Sequence, residues 1–401
     1  MGLAFAIAAV SMGQGRPWTE QYLEEAGAAN KTCAAKDFAG CRDHLLRLKD
    51  LADGRGDVIY RLARVEASLG NRPAAMAYLA LYSRMGLHLA DPDAEEAFAA
   101  WKDTPDFQAI LDRLKAATAP VTRSQVFATL PEKDLLPEDI AYDPATGRFF
   151  LSSVRHRKIV VRRKDGSFAN FVPEGEHAMM ALAADARRRW LWATTVDEGK
   201  STLQKFHLDS AKLLRRYDLP AAEKHELGDM TLSPAGDLYI SDGLGAVYFL
   251  DHTRDRLELV FGPGTFRSPQ TPALSPDGRR LFVPDYSRGI SVVDLATKKW
   301  KLLAHPPDLS LGGIDGMYLS GRTIVAIQNG AAPARLIGMH LDAGLTRILT
   351  WEIIEANWPG LGDATHGVRV GDQFYFIANS GWDVKPGGTF EPATIRRLTW
   401  Q

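Results

Sequence analysis

Leu136-Pro137-Glu138-Asp139-Ile140-Ala141-Tyr142-Asp143-Pro144-Ala145-Thr146-Gly147-Arg148-Phe149-Phe150-Leu151-Ser152-Ser153 reads as a short buried strand, a turn, and a second strand ending in small polar residues. The same pattern returns along the chain. Gly228-Asp229-Met230-Thr231-Leu232-Ser233-Pro234 leads through Gly236 to Leu238-Tyr239-Ile240-Ser241-Asp242. Thr271-Pro272-Ala273-Leu274-Ser275-Pro276-Asp277-Gly278 leads to Leu281-Phe282-Val283-Pro284-Asp285, while Asp315-Gly316-Met317-Tyr318 and His366-Gly367-Val368-Arg369 open two more copies. A faint copy runs from Met180 through Asp185 to Trp190-Leu191-Trp192-Ala193. The residues before the first strands are Glu138, Met180, Gly228, Gln270, Asp315 and His366, separated by 42, 48, 42, 45 and 51 positions. That period marks a repeat architecture.

Six copies, each with room for four strands, predict a six-bladed β-propeller over residues 124–401. Ile140, Leu182, Met230, Ala273, Met317 and Val368 supply the apolar face of the innermost strands. The ring must close or leave an open sheet edge. The end of the chain offers one strand, Ala393 to Leu398, and the segment Ser124 to Thr129 offers its partner, so these two should share a blade. A seven-bladed WD-repeat ring is the weaker alternative, because recurring Gly-His and Trp-Asp marks are absent.

Ahead of the strands, residues 17–117 read as helices, joined by a linker at 118–123. The fold class is therefore α + β multidomain. Asp57 to Leu69 gives one apolar face, Gly70-Asn71 stops it, and Pro73 suits the first turn of the next helix. This Leu-Gly-Asn junction resembles a tetratricopeptide repeat, as does the 34-residue spacing of Cys41 from Ala75 and of Ala29 from Ala63. Asp93 to Trp101 with Asp106 to Leu111 reads as a degenerate third hairpin. The resemblance implies a concave face for a protein partner; the competing reading is that the helices only pack on the propeller.

Composition excludes some classes of function. With 48 basic and 49 acidic residues the net charge is −1, so no global field draws the chain to nucleic acid or to an anionic membrane. No apolar run is long enough to span a bilayer. Residues 1–13 contain the apolar stretch Gly2 to Val10, then Ser11-Met12-Gly13, which is similar to the end of a secretory leader but lacks a basic start. With a leader the protein is periplasmic or secreted; if the run is instead a buried helix end, it is cytoplasmic. Cys33 and Cys41 can pair if a turn near Lys36-Asp37 breaks the helix, since in one continuous helix they lie too far apart. No P-loop, Gly-x-Ser-x-Gly or Cys-x-x-Cys is present.

In a propeller, the residues leading the innermost strands and those ending the second strands share one mouth of the central channel. The expected lining is Glu138, Asp139, Asp229, Gln270, Asp315 and His366, with Asp242, Asp285, Asn329 and Asn379 nearby, around a small-molecule ligand. Hard oxygen donors favour calcium or magnesium over zinc, and His366 is of the right type for a proton shuttle.

These motifs resemble the senescence-marker/gluconolactonase superfamily, with its paraoxonase and strictosidine-synthase branches, over roughly residues 126–401. The resemblance implies a channel calcium held by Glu138 and Asp315, with Asp229 and Gln270 at the other ligand positions. Gly228 and Gln270 stand where that family shows asparagine. Asp315 or His366 would then activate water in a metal-dependent lactonase or esterase. The depleted ligand set favours a different first reading, an exported ring that binds a small molecule or protein at the channel mouth, a diverged relative of that family, with the hydrolase as the alternative.

Overall fold

The computed structural model describes residues 16–52, 54–220 and 222–400. The leader-like residues 1–13 lie outside this range. Helices α1 (Trp18–Ala34) and α2 (Phe38–Leu51) pack together, as do α3 (Gly56–Ser68) and α4 (Arg72–Arg84). Asp37 caps α2 by accepting the Gly40 amide, and Asn71 caps α4 through the Ala74 amide. Gly70, at φ +77°, makes the left-handed turn between α3 and α4. Ala29, Cys41, Ala63 and Ala75 are fully buried in the helical cores.

The third pair departs from the sequence expectation. Its first member is two 3₁₀ turns, Pro92–Ala94 and Glu96–Trp101, because Glu95 is extended at ψ 126° and interrupts the helix. Its second member is the regular helix α5 (Pro105–Ala116). Lys36, at φ 57°, turns the chain between α1 and α2. That brings Cys33 and Cys41 to a Cα separation of 5.0 Å, where they form a disulfide.

Beyond the helices, strands β1 to β24 form six four-stranded antiparallel sheets, one per blade of a six-bladed propeller. The innermost strands are β2 (Pro137–Asp143), β6 (Ala178–Asp185), β10 (Leu227–Leu232), β14 (Ala273–Leu274), β18 (Met317–Ser320) and β22 (Gly367–Val370). β1 (Gln125–Thr129) pairs with β24 (Thr394–Thr399), so the first strand joins the last blade and closes the ring. Apolar side chains fill the spaces between blades. Fully buried Phe374 and Phe376 pack with Val325 and Leu336 of the preceding blade. Burying one such side chain contributes roughly 1.5–3 kcal/mol.

The mouth ends of three inner strands are bulged. In blade 1, Pro137 faces Ser153 and Ile140 faces Leu151, so Glu138 and Asp139 together oppose Ser152. The Asp139 amide donates to Ser152 Oγ at 2.9 Å. Blade 2 repeats the device, with the Ala181 amide on Thr194 Oγ1 at 2.9 Å. In blade 3 the extra residue is Gly228. A bulge turns side chains that would otherwise alternate across the sheet and re-aims them.

The helical domain stands on this same mouth face. Trp18 Nε1 donates to Thr265 O at 2.9 Å, and the Leu311 amide donates to Gly54 O at 3.1 Å. The His88 amide donates to Ala332 O at 2.7 Å. Buried Arg335 donates from Nη1 to Met85 O and Gly86 O at 2.6 and 3.0 Å, and from Nε to Gln328 Oε1 at 2.8 Å. The guanidinium thus meets carbonyls at the C-terminal end of α4, where a cation is favoured.

Candidate metal and acid–base site

Glu138, Asp315 and His366, from blades 1, 5 and 6, converge at the channel mouth. One potential ligand atom from each lies within 4.8 Å of the other two. All three are buried, at 9, 8 and 2% exposure. Asp229 from blade 3 joins them through His366 Nε2. His366 Nδ1 donates to Glu138 O at 2.9 Å, so both ring nitrogens are engaged. Thr271 Oγ1 donates to Asp229 Oδ1 at 2.8 Å, and Asn329 Nδ2 donates to Asp315 Oδ2 at 2.5 Å.

The charges of this cluster are interdependent. Burial raises the pKa of Glu138, His366 pulls it down, and Asp315 pushes it up again; the net is well above the ordinary carboxylate range. Asp315 is raised in the same direction, by burial and by Asp229 against His366. Burial opposes charging of His366. The surrounding Asp229, Asp315 and Asp139, with the bond to Asp229, outweigh that and hold its pKa well above 6.5. The imidazole is therefore a cation among carboxylates, and it is a poor metal ligand while both nitrogens donate.

The other sequence candidates divide clearly. Asp139 is raised to about 6 by burial, against the pull of His366 and of the Leu182 amide. Its oxygens accept the Ile140 amide at 2.7 Å and the Leu182 amide at 2.6 Å, tying blade 1 to blade 2. Gln270 turns away from the carboxylates and donates to Ser268 Oγ at 2.9 Å. Asp242 accepts the Glu226 and Leu244 amides at 2.9 and 3.0 Å and pairs with His225. Asp285 accepts the Arg267 and Ser287 amides at 2.7 and 2.9 Å. Asn379 accepts from Thr394 N and Oγ1 at 2.8 and 2.7 Å. These last three are committed to loop and strand ends. Of the second-strand residues, Asn329 reaches the cluster.

The repeat pattern singles out none of three further residues around the cluster. Trp382 Nε1 donates to Glu138 Oε2 at 2.5 Å while 46% of the residue stays exposed. It sits in the connection 378–393 of blade 6, where blade 1 needs only 154–157; that extra length was the available clue. Tyr318 Oη accepts the Gly367 amide at 2.7 Å. Asp363 is raised to about 6 by burial and by Asp383.

A hard divalent cation fits this donor set. Among the described residues no hydrogen bond reaches Glu138 Oε1 or Asp315 Oδ1, and two buried carboxylates facing one another call for a cation or a proton between them. Among the described residues, no helix is long and apolar enough to cross a membrane.

No protein-family model matches the chain, and no curated protein matches it. Solved structures do. A putative oxidoreductase (glucose dehydrogenase) from Thermus thermophilus aligns with a TM-score of 0.50 at 17% identity, over 69% of this chain and 99% of that one. A gluconolactonase from Xanthomonas campestris gives 0.49 at 16%, over 71% and 92%. U3-55K gives 0.51 at 11%, over 70% and 100%. The likeness to the Thermus protein and to U3-55K, at these identities, shows a shared fold only, and this chain adds an N-terminal helical domain to it.

Proposed function

We propose that the protein is a divalent-cation-dependent hydrolase of a small ester or lactone. The convergence of Glu138, Asp315 and His366 at the channel mouth carries this reading. Glu138 and Asp315 would hold the ion, calcium being the best match to their oxygens. When bound there, the ion would supply Lewis-acid polarisation of the carbonyl. The Asp315 carboxylate would take a proton from the attacking water and return it to the leaving oxygen as the C–O bond breaks, so an ester and water become an acid and an alcohol. Asp229 holds His366 charged and oriented, and His366 in turn fixes the Glu138 backbone.

The test is hydrolysis of δ-gluconolactone, δ-valerolactone and phenyl acetate by the whole chain, with and without chelator. The expected result is activity lost on chelation, restored by calcium, and reduced at least 100-fold in Glu138→Ala. Activity indifferent to chelator and to Glu138→Ala contradicts the proposal. One observation favours a second reading, a binding module without catalysis: His366 already balances part of the carboxylate charge without any ion. That reading predicts no hydrolysis and no calcium binding.

Export is proposed as well, supported by the Cys33–Cys41 disulfide, since such bonds persist in oxidising compartments. Recovery of the protein in a cytoplasmic fraction with both thiols free would contradict it.

A further inference from the structure

The helical domain covers the face that carries the carboxylate cluster, and a cavity of about 190 Å³ lies between the helices and the propeller there. Arg55, Asp57, Leu87 and Leu89 of the helical domain form one wall. Tyr286 and the glycines Gly313 and Gly330 form the opposite one. The glycines are required there. Gly313 is at φ +75°, and a Cβ on Gly330 would strike the Tyr286 ring. Tyr286 is thereby held flat against the propeller, with its hydroxyl donating to Asn329 Oδ1 at 3.1 Å. Asn329 in turn donates to Asp315 Oδ2 at 2.5 Å. Two side chains thus separate this cavity from the cluster.

The lining also fixes the chemistry of an occupant. Arg55 and Asp57 form a two-bond pair at 2.8 and 3.0 Å, so their charges cancel within the wall and select no ion. Leu87 and Leu89 offer apolar surface, while Ser310 and the Tyr286 hydroxyl offer hydrogen-bonding groups. The volume is the share of roughly six waters in the liquid, below the usual range for drug-sized ligands. The wall is also rigidly placed. Arg335 clamps Met85 and Gly86, immediately before Leu87, and Gln328 joins Arg335 to Ser310 O and Gly312 O beneath the cavity.

We infer that the helical domain is part of the ligand site: the cavity between Leu87–Leu89 and Tyr286 holds a small, neutral, ring-sized molecule with one apolar and one polar edge. The naming of that molecule as a lactone or cyclic ester rests on the hydrolase reading; its size and neutrality do not. Tyr286 and Asn329 stand between that molecule and Asp315, so the helices select at a holding site beside the cluster, and propellers lacking them would not share that selectivity.

The experiment uses the full chain in two arms. In the first, chelator-treated protein is titrated with δ-valerolactone by ligand-detected NMR, which reads binding without turnover. In the second, hydrolysis of δ-valerolactone is compared with that of a δ-lactone bearing a pentyl chain. Leu89 is 39% exposed, so Leu89→Trp should fold while filling the cavity, and Leu89→Ala should widen it. The expected outcome is at least tenfold weaker binding and a tenfold higher KM in Leu89→Trp, with kcat within twofold, and a shift toward the pentyl lactone in Leu89→Ala. Unchanged binding and KM in Leu89→Trp, or no NMR-detected binding to the wild type, overturns the inference. Binding that responds to Leu89→Trp without any hydrolysis upholds the cavity and removes the hydrolase reading instead.

Discussion

His366 and Asp229, 137 positions apart in sequence, form a buried ion pair across the central channel, with side-chain exposures of 2 and 6%. The pair joins the last blade to the third, and it puts the only imidazolium of the cluster against three carboxylates. Removing one partner of a buried pair leaves the other uncompensated. Asp229→Asn should therefore destabilise the protein by about 3 kcal/mol and lower the pKa of His366. Chemical denaturation and the imidazole NMR titration read the two effects. A loss below about 0.5 kcal/mol, the range of an ordinary surface change, would show the pair to be dispensable.

The same charges predict the pH dependence. Glu138 and Asp315 have folded pKa values raised above 4.5 and 3.8, so from those values upward the native state binds more protons than the unfolded chain. Their contribution declines as pH rises. His366, raised above 6.5, stabilises fully below that value and loses its effect as pH rises through its folded pKa. Both trends have one sign. In chelator, stability should fall from pH 5 to pH 9; in millimolar calcium the decline should flatten, because an ion takes the place of the protons. Melting temperatures across that range, with and without calcium, provide the measurement. Stability that rises with pH in chelator would contradict the assignment.

Trp382 reports on Glu138 directly, because its indole donates to the carboxylate while almost half exposed. Calcium binding at Glu138 should change tryptophan emission, and the change should vanish in Trp382→Phe. That variant should fold with a stability change within about 0.5 kcal/mol apart from the lost hydrogen bond. An identical calcium response in Trp382→Phe would place the ion elsewhere.

Arg335 is the principal latch between the helices and the propeller. Arg335→Met removes the donors to Met85 O, Gly86 O and Gln328 Oε1 together. Each buried acceptor left without a donor costs about 1–3 kcal/mol. The wild type should unfold in one calorimetric transition; Arg335→Met should show two, and faster proteolysis within 117–123. A single unchanged transition would show that the latch does not couple the domains.

The architecture was legible because it repeats. Ile140, Met230 and Met317 recur at two-blade spacing, and the need to close the ring was enough to pair Ser124–Thr129 with Ala393–Leu398. Glu138, Asp315 and His366 share a mouth because leading residues of inner strands must do so. What composition and period do not encode is competition for each polar atom. Asp242 and Asp285 carry the same side chain as Asp315, yet backbone amides claim their oxygens. Nor does a helical period specify which propeller face the helices cover; that is settled by dispersed contacts such as Trp18 on Thr265 and Arg335 on Met85.

Calorimetric titration of calcium into chelator-stripped protein, for the wild type and for Glu138→Ala and Asp315→Asn, tests the central claim most directly. One ion should bind per chain with release of protons at pH 6, and each substitution should weaken it at least tenfold. Calcium heats that are absent from the wild type, or unaltered by both substitutions, would contradict an ion-binding mouth.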